Sequence, residues 1–94
     1  MVEAEKPIRL KGKKLRELND EIFLRDNHKC IICGRWVEEG QKFHHEPCGA
    51  AKSDELEKGV VLCRDCHFAR HNGKNSREIR EKVRAYLNML YPRS

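Results

Sequence analysis

Ninety-four residues, 38% hydrophobic and 37% charged, make one small domain whose core is thin enough for a metal crosslink to matter. No apolar run approaches the ~18 residues of a membrane span, and residues 1–6 lack the apolar region of a signal peptide, which argues against a membrane and for a reducing, cytoplasmic setting. The formal net charge of +5 is split: residues 1–16 balance at +4, residues 17–63 at −4 and residues 64–94 at +5, a layout that could grip a polyanion from two sides or serve only as a solvated surface.

Residues 1–14, with Pro7, Gly12 and little apolar periodicity, read as a flexible basic arm ahead of a single domain over residues 15–94. Leu15, Leu18, Ile22 and Phe23 then recur at helical spacing. That helix is expected from about Lys14 or Asn19 to Asp26, with Asn19 or Asp20 as its cap and Asn27-His28 as its break, and it delivers Cys30. Gly34 suits a tight turn after Cys33, where a side chain would crowd. Trp36-Val37, the polar turn over residues 38–41 and the stretch Lys42-Phe43-His44-His45 suggest a β-hairpin, closed by Pro47. An irregular loop with Cys48 leads to the buried strand Val60-Val61-Leu62. Residues 64–72 have helical character and stop at Gly73. A last helix over about residues 76–91 starts at an Asn75/Glu78 capping box, carries the stripe Ile79, Val83, Tyr86, Leu87 and Leu90, and closes at Pro92.

The chemistry concentrates in two hooks, Cys30-Ile31-Ile32-Cys33 and Cys63-Arg64-Asp65-Cys66. Two such hooks can supply four thiolates to one tetrahedral zinc. Two disulfides would suit a redox protein, but no thioredoxin-like pattern surrounds them. Cys48 has no partner at knuckle spacing and reads as a loop thiol without a role.

His67 and His71, four apart on a helix, share a face and can offer two nitrogen ligands to a divalent ion, while Cys66 points about 100° away around the same helix. His44 and His45 are neighbours on a strand and point to opposite faces. One can then ligate while the other stays free to take a proton.

The run Arg25-Asp26-Asn27-His28-Lys29-Cys30-Ile31-Ile32-Cys33-Gly34, then His44-His45-Glu46-Pro47, then the stretch from Gly59 through Cys63-Arg64-Asp65-Cys66-His67 to His71, resembles the HNH endonucleases. It is similar, more narrowly, to small stand-alone phage and bacterial members. The resemblance covers roughly residues 16–72, with its motif core at about residues 25–72. It implies a small α+β fold with a ββα-metal core, a β-hairpin plus a helix, stabilised by the four-cysteine zinc site and flanked by an N-terminal and a C-terminal helix.

By position, the resemblance makes His44, His67 and His71 ligands of a catalytic divalent ion, Mg²⁺, Mn²⁺ or Zn²⁺. It makes His45 the general base, and Cys30, Cys33, Cys63 and Cys66 the structural zinc site. The family's Asn, which helps hold the loop next to the base, falls at Lys58, so Lys58 either leaves His45 unbraced or touches the scissile phosphate itself. The implied activity is DNA phosphodiester hydrolysis, on double-stranded DNA and with weak sequence preference. Lys11, Lys13, Lys14, Arg16, Arg70, Lys74 and Arg77 are the cations expected on the DNA backbone. Small phage relatives are associated with DNA-packaging proteins, a partner class that resemblance alone suggests. Two other readings account for part of the pattern: a non-catalytic zinc-ribbon module that binds nucleic acid, which leaves the histidines idle, and a degenerate HNH scaffold, which accommodates Lys58.

Overall fold

The computed structural model describes residues 7–38, 40–47, 49 and 52–92. They form a small α+β fold that runs α1 (Gly12–Arg25), β1 (His44–His45), a 3-10 turn (Leu56–Lys58), β2 (Gly59–Val60), α2 (Arg64–Asn72) and α3 (Ser76–Leu90). Among the described residues no helix is long and apolar enough to cross a membrane.

The apolar spacing of α1 buries Leu18, Ile22 and Phe23 on one face, as residues three and four apart on a helix require. The helix begins at Gly12, so Lys13 and Lys14 belong to its first turn rather than to an arm. Ahead of it, the Ile8 and Leu10 amides donate to Ser53 Oγ and Asp54 Oδ2, each at 2.8 Å, and the Asp54 amide donates back to Ile8 at 2.9 Å. Three hydrogen bonds thus fasten residues 8–10 to the loop before the 3-10 turn. The arm's first six residues lie outside those described.

Asn19 and Asp20 are mid-helix and cap nothing. The Asn19 side chain instead reaches across the fold, donating to the Gln41 carbonyl at 3.0 Å and accepting the Phe43 amide at 2.9 Å. The break after α1 falls where expected, with Asn27 and His28 both left-handed at φ 58° and 56°.

The expected hairpin between residues 36–37 and 42–45 does not form. Trp36 bridges to Lys29, the Val37 amide donates to His28, and the Phe43 amide is already taken by Asn19. β1 pairs antiparallel with β2, His44 opposite Val60 and His45 opposite Gly59. The partner strand is therefore the apolar run before Cys63. Gly59 permits this approach, since a Cβ there would lie 2.5 Å from the Phe43 ring and 2.8 Å from Ile22, well inside van der Waals contact.

Val60, Val61 and Leu62 are buried with Ile22, Val83 and Leu87 in a single core. Full burial of each such side chain stabilises by about 1.5–3 kcal/mol, which is modest in total for so short a chain. α3 contributes Ile79, Val83 and Leu87, whereas Leu90 is exposed, and Asn75 stands at its N-terminus without a side-chain capping bond. A buried polar hub ties three elements together. Asp26, only 5% exposed, accepts the Val61 amide at 2.9 Å, the Tyr86 hydroxyl at 2.5 Å and Arg25 Nε at 2.8 Å. The same Arg25 donates to the Leu56 and Gly59 carbonyls, each at 2.6 Å.

Candidate metal centres

Cys30 and Cys33 lie on the turn after α1, Cys63 caps the start of α2, and Cys66 lies in its first turn. Their four sulfurs all fall within 4.8 Å of one another. The Cys33 and Cys63 sulfurs are 3.6 Å apart, too far for the ~2.05 Å of a disulfide and close to the ~3.8 Å edge of a tetrahedron built on ~2.3 Å zinc–sulfur bonds. The donor set and its spacing fit a structural metal such as zinc.

Backbone geometry prepares this site. The Gly34 amide donates to the Cys30 carbonyl at 2.9 Å and the Cys30 amide to the Arg35 carbonyl at 2.8 Å. Gly34 is required for its φ of 77° rather than for room, because a Cβ there meets nothing within 4 Å, which corrects the expectation that a side chain would crowd. Backbone hydrogen bonding beside Arg35 lowers the Cys33 thiol below its ordinary range, while burial pushes Cys63 and Cys66 up. Four thiolates so close together repel one another unless a cation neutralises them. Cys48 lies outside the described residues.

A second cluster stands beside the first. His44, only 3% exposed, comes from β1, and His67 and His71 come from α2; one nitrogen of each falls within 4.8 Å of the others. His67 Nε2 and His71 Nε2 are 3.1 Å apart, near the ~3.4 Å expected between two nitrogens sharing a tetrahedral ion at ~2.1 Å. Burial and the neighbouring histidines lower both His67 and His71, which favours the neutral imidazole that can ligate. α2 thus presents Cys66 to one centre and His67 and His71 to another.

Two further residues support this cluster: Glu46, to which the sequence reading gave no role, and Arg70, which it gave a different one. Glu46, buried at 3%, lies 3.2 Å from His44 Nε2 and receives Arg70 through two bonds of 2.9 Å. Burial alone would raise Glu46, but the hydrogen bonds from His44 and Arg70 outweigh it and hold the carboxyl at about 2. Arg70, grouped above with the cations on DNA, is therefore taken up inside the protein. Period-2 alternation puts residues 44 and 46 on one face, so the signal for Glu46 was present in the strand.

His45 faces away from the cluster. Its Nε2 is 2.7 Å from Asp54 Oδ1, its ring packs at 4.5 Å on Phe43, and its side chain keeps 21% exposure. Burial would raise Asp54, but the bonds from His45 and the Leu10 amide bring it below its usual range. A carboxylate only accepts, so in the neutral ring Nε2 carries the hydrogen and Nδ1 the lone pair. Asp54 lies in an irregular loop where no periodicity pointed to it. Lys58, expected beside His45, aligns there only through its backbone: its carbonyl accepts the Glu46 amide at 3.0 Å while its Nζ pairs with Glu55 at 3.0 Å.

Of the remaining cations, Lys11, Lys14, Arg16 and Lys74 are exposed, Lys13 lies 4.0 Å from Glu17, and Arg77 pairs with Glu81 at 3.2 Å. Compared with family models, with curated proteins and with solved structures, the chain finds no match in any of the three.

Proposed function

We propose that this protein is a metal-dependent endonuclease of the HNH type, with a ββα-metal core formed by β1, β2 and α2, that hydrolyses DNA phosphodiester bonds. The observation that carries this reading is the division between adjacent histidines: His44 converges with His67 and His71, while His45 turns to the other face and is held by Asp54 at 2.7 Å. Three convergent imidazoles beside an unligated, oriented fourth make a site that can bind a divalent ion and move a proton. A structural metal alone requires neither arrangement.

His45 takes a proton from water at Nδ1 as the water oxygen attacks phosphorus and the 3′ oxygen departs. Asp54 fixes the tautomer and stabilises the imidazolium that forms. A divalent ion held by His44, His67 and His71 would supply charge neutralisation at the phosphate and the leaving oxygen. Glu46 and Arg70 keep His44 in place. The exposed cations Lys11, Lys14, Arg16 and Lys74 hold the DNA backbone without reading bases, and the protein works in a reducing cytoplasm where its thiols stay free to bind zinc.

Nicking of supercoiled plasmid by the purified protein with Mg²⁺, Mn²⁺ or Zn²⁺ tests this directly. Activity that depends on added metal and falls by about 10²–10⁴-fold in His45→Ala is the expected result. Tight DNA binding with no cleavage under any of the three ions would overturn it in favour of a binding module.

A further inference from the structure

The groove that passes His67 and His71 has walls suited to more than a phosphate backbone. α2 contributes Arg64, His67, Phe68 and His71 to its lining, and the segment after the first cysteine hook contributes Arg35, Trp36 and Lys42. Those positions on α2 are three, four and seven apart, so they form one face. Phe68 is 66% exposed and Trp36 59% exposed. A single exposed apolar side chain is ordinary. Two large rings from different segments of the chain, lining one groove together with His67 and His71, call for a ligand with flat apolar faces.

Trp36 is also held in place before any ligand arrives. His28 stacks on it at 5.1 Å with an interplanar angle of 16°, and its backbone bridges to Lys29. A ring fixed in this way loses little freedom on binding. Among the described residues the groove's charge favours a polyanion, since Arg35, Lys42 and Arg64 line it against the acidic Glu38. Arg35 does pair with Asp65 at 2.8 Å, but both side chains are more than 60% exposed, and an exposed pair of this kind contributes little and exchanges readily for phosphate.

Basic side chains interleaved with exposed aromatic rings form a stacking platform for unpaired nucleotides. Bases within an intact duplex are stacked on each other and cannot present their faces to a protein wall. We infer that this groove takes an unpaired stretch of DNA, stacking bases on Trp36 and Phe68 and so delivering an open or single-stranded segment to the His44, His67 and His71 cluster. This rests on the nuclease reading of that cluster and narrows its substrate from duplex DNA to DNA with locally separated strands.

Trp36 is the chain's single tryptophan, so its fluorescence reports on the groove alone. The zinc-loaded protein, in buffer without added divalent ion, is titrated with a single-stranded oligothymidylate and with a hairpin duplex of equal nucleotide count. Quenching of Trp36 by the single strand, with a lower Kd than for the duplex, is expected. Phe68→Ala should weaken single-strand binding by about 5- to 150-fold and leave duplex binding unchanged, with Phe68→Tyr restoring it; circular dichroism and zinc content confirm that the variants are folded. Unquenched Trp36, or an equal loss on both substrates in Phe68→Ala, would overturn the inference. Plasmid nicking measured in parallel keeps the two readings apart: nicking without a stacking signal defeats this inference alone, and stacking without nicking defeats the nuclease reading alone.

Discussion

His45 and Asp54 are joined by a 2.7 Å hydrogen bond from Nε2 to Oδ1, while the other oxygen of Asp54 accepts the Leu10 amide at 2.8 Å. One carboxylate therefore anchors the proposed base to the segment that precedes α1. The sequence resemblance placed a bracing Asn at the position of Lys58, which implied that His45 is left unbraced or that Lys58 touches the phosphate instead. The structure gives that side chain to Glu55 and the bracing to Asp54. Asp54→Ala should cut nicking substantially, but by less than His45→Ala, because the imidazole remains and only its tautomer and orientation are released. Lys58→Ala should leave the rate unchanged. Single-turnover cleavage of one substrate by all three variants checks the order; a large loss in Lys58→Ala with none in Asp54→Ala would reverse the assignment.

Glu46 connects His44 to Arg70, and the link has a consequence for metal affinity. Groups that orient a ligand typically account for about 10- to 100-fold in affinity when removed. Glu46→Gln should weaken binding of a divalent ion at the histidine cluster by that order while leaving the cysteine site loaded. Arg70→Ala should act in the same direction, since it strands a buried carboxylate beside His44. Isothermal titration of zinc-loaded protein with Mn²⁺ measures both, and unchanged affinity in Glu46→Gln would show that His44 needs no support from it.

The two clusters should differ in how firmly they hold metal. Thiolate zinc sites coupled to folding contribute on the order of 10–16 kcal/mol of apparent binding energy at neutral pH, whereas three imidazoles with an open position bind more weakly. Brief EDTA dialysis should leave about one zinc per chain and strip the second ion. Elemental analysis alongside circular dichroism decides it: no zinc with the fold intact would defeat the structural assignment of Cys30, Cys33, Cys63 and Cys66.

The legible parts of this chain were those that local spacing encodes. The cysteine hooks follow from their two-residue gaps, and the His67/His71 pair and the opposition of His44 and His45 from helical and strand periods; the four sulfurs converge, as do His44, His67 and His71, while His45 turns to Asp54. Strand pairing was not legible, because it depends on what else competes for an amide. Asn19, read as a helix cap, takes the Phe43 amide from across the chain, and His44 and His45 pair with Val60 and Gly59 rather than with the Trp36-Val37 stretch. Asp54 was hidden for a related reason: a loop carboxylate has no period, and its partners His45 and Leu10 are 9 and 44 residues away. The Asp26 hub was hidden as well, since its link to Tyr86 spans 60 residues.

That hub makes a prediction independent of any activity. Burial raises the Tyr86 hydroxyl, its hydrogen bond to Asp26 raises it further, and nearby Arg25 offsets only part, leaving it at about 12. A phenol titrates near ~10 when unfolded, so the folded state favours the protonated ring. The stabilisation from Tyr86 is therefore complete below about pH 10 and is lost as pH climbs through about 12. Tyr86→Phe should cost roughly 0.5–1.5 kcal/mol at neutral pH, with the gap from wild type closing over that alkaline window. Asp26→Ala should cost more, on the order of 3–5 kcal/mol, because it leaves the buried Arg25 charge without its partner and the Val61 amide without an acceptor. Urea unfolding of the zinc-loaded proteins gives both differences, and phenolate absorbance missing from Tyr86→Phe gives the titration itself. A midpoint near 10 for that missing absorbance would mean that Tyr86 does not bond Asp26 in solution, and the hub would reduce to Arg25, Asp26 and Val61.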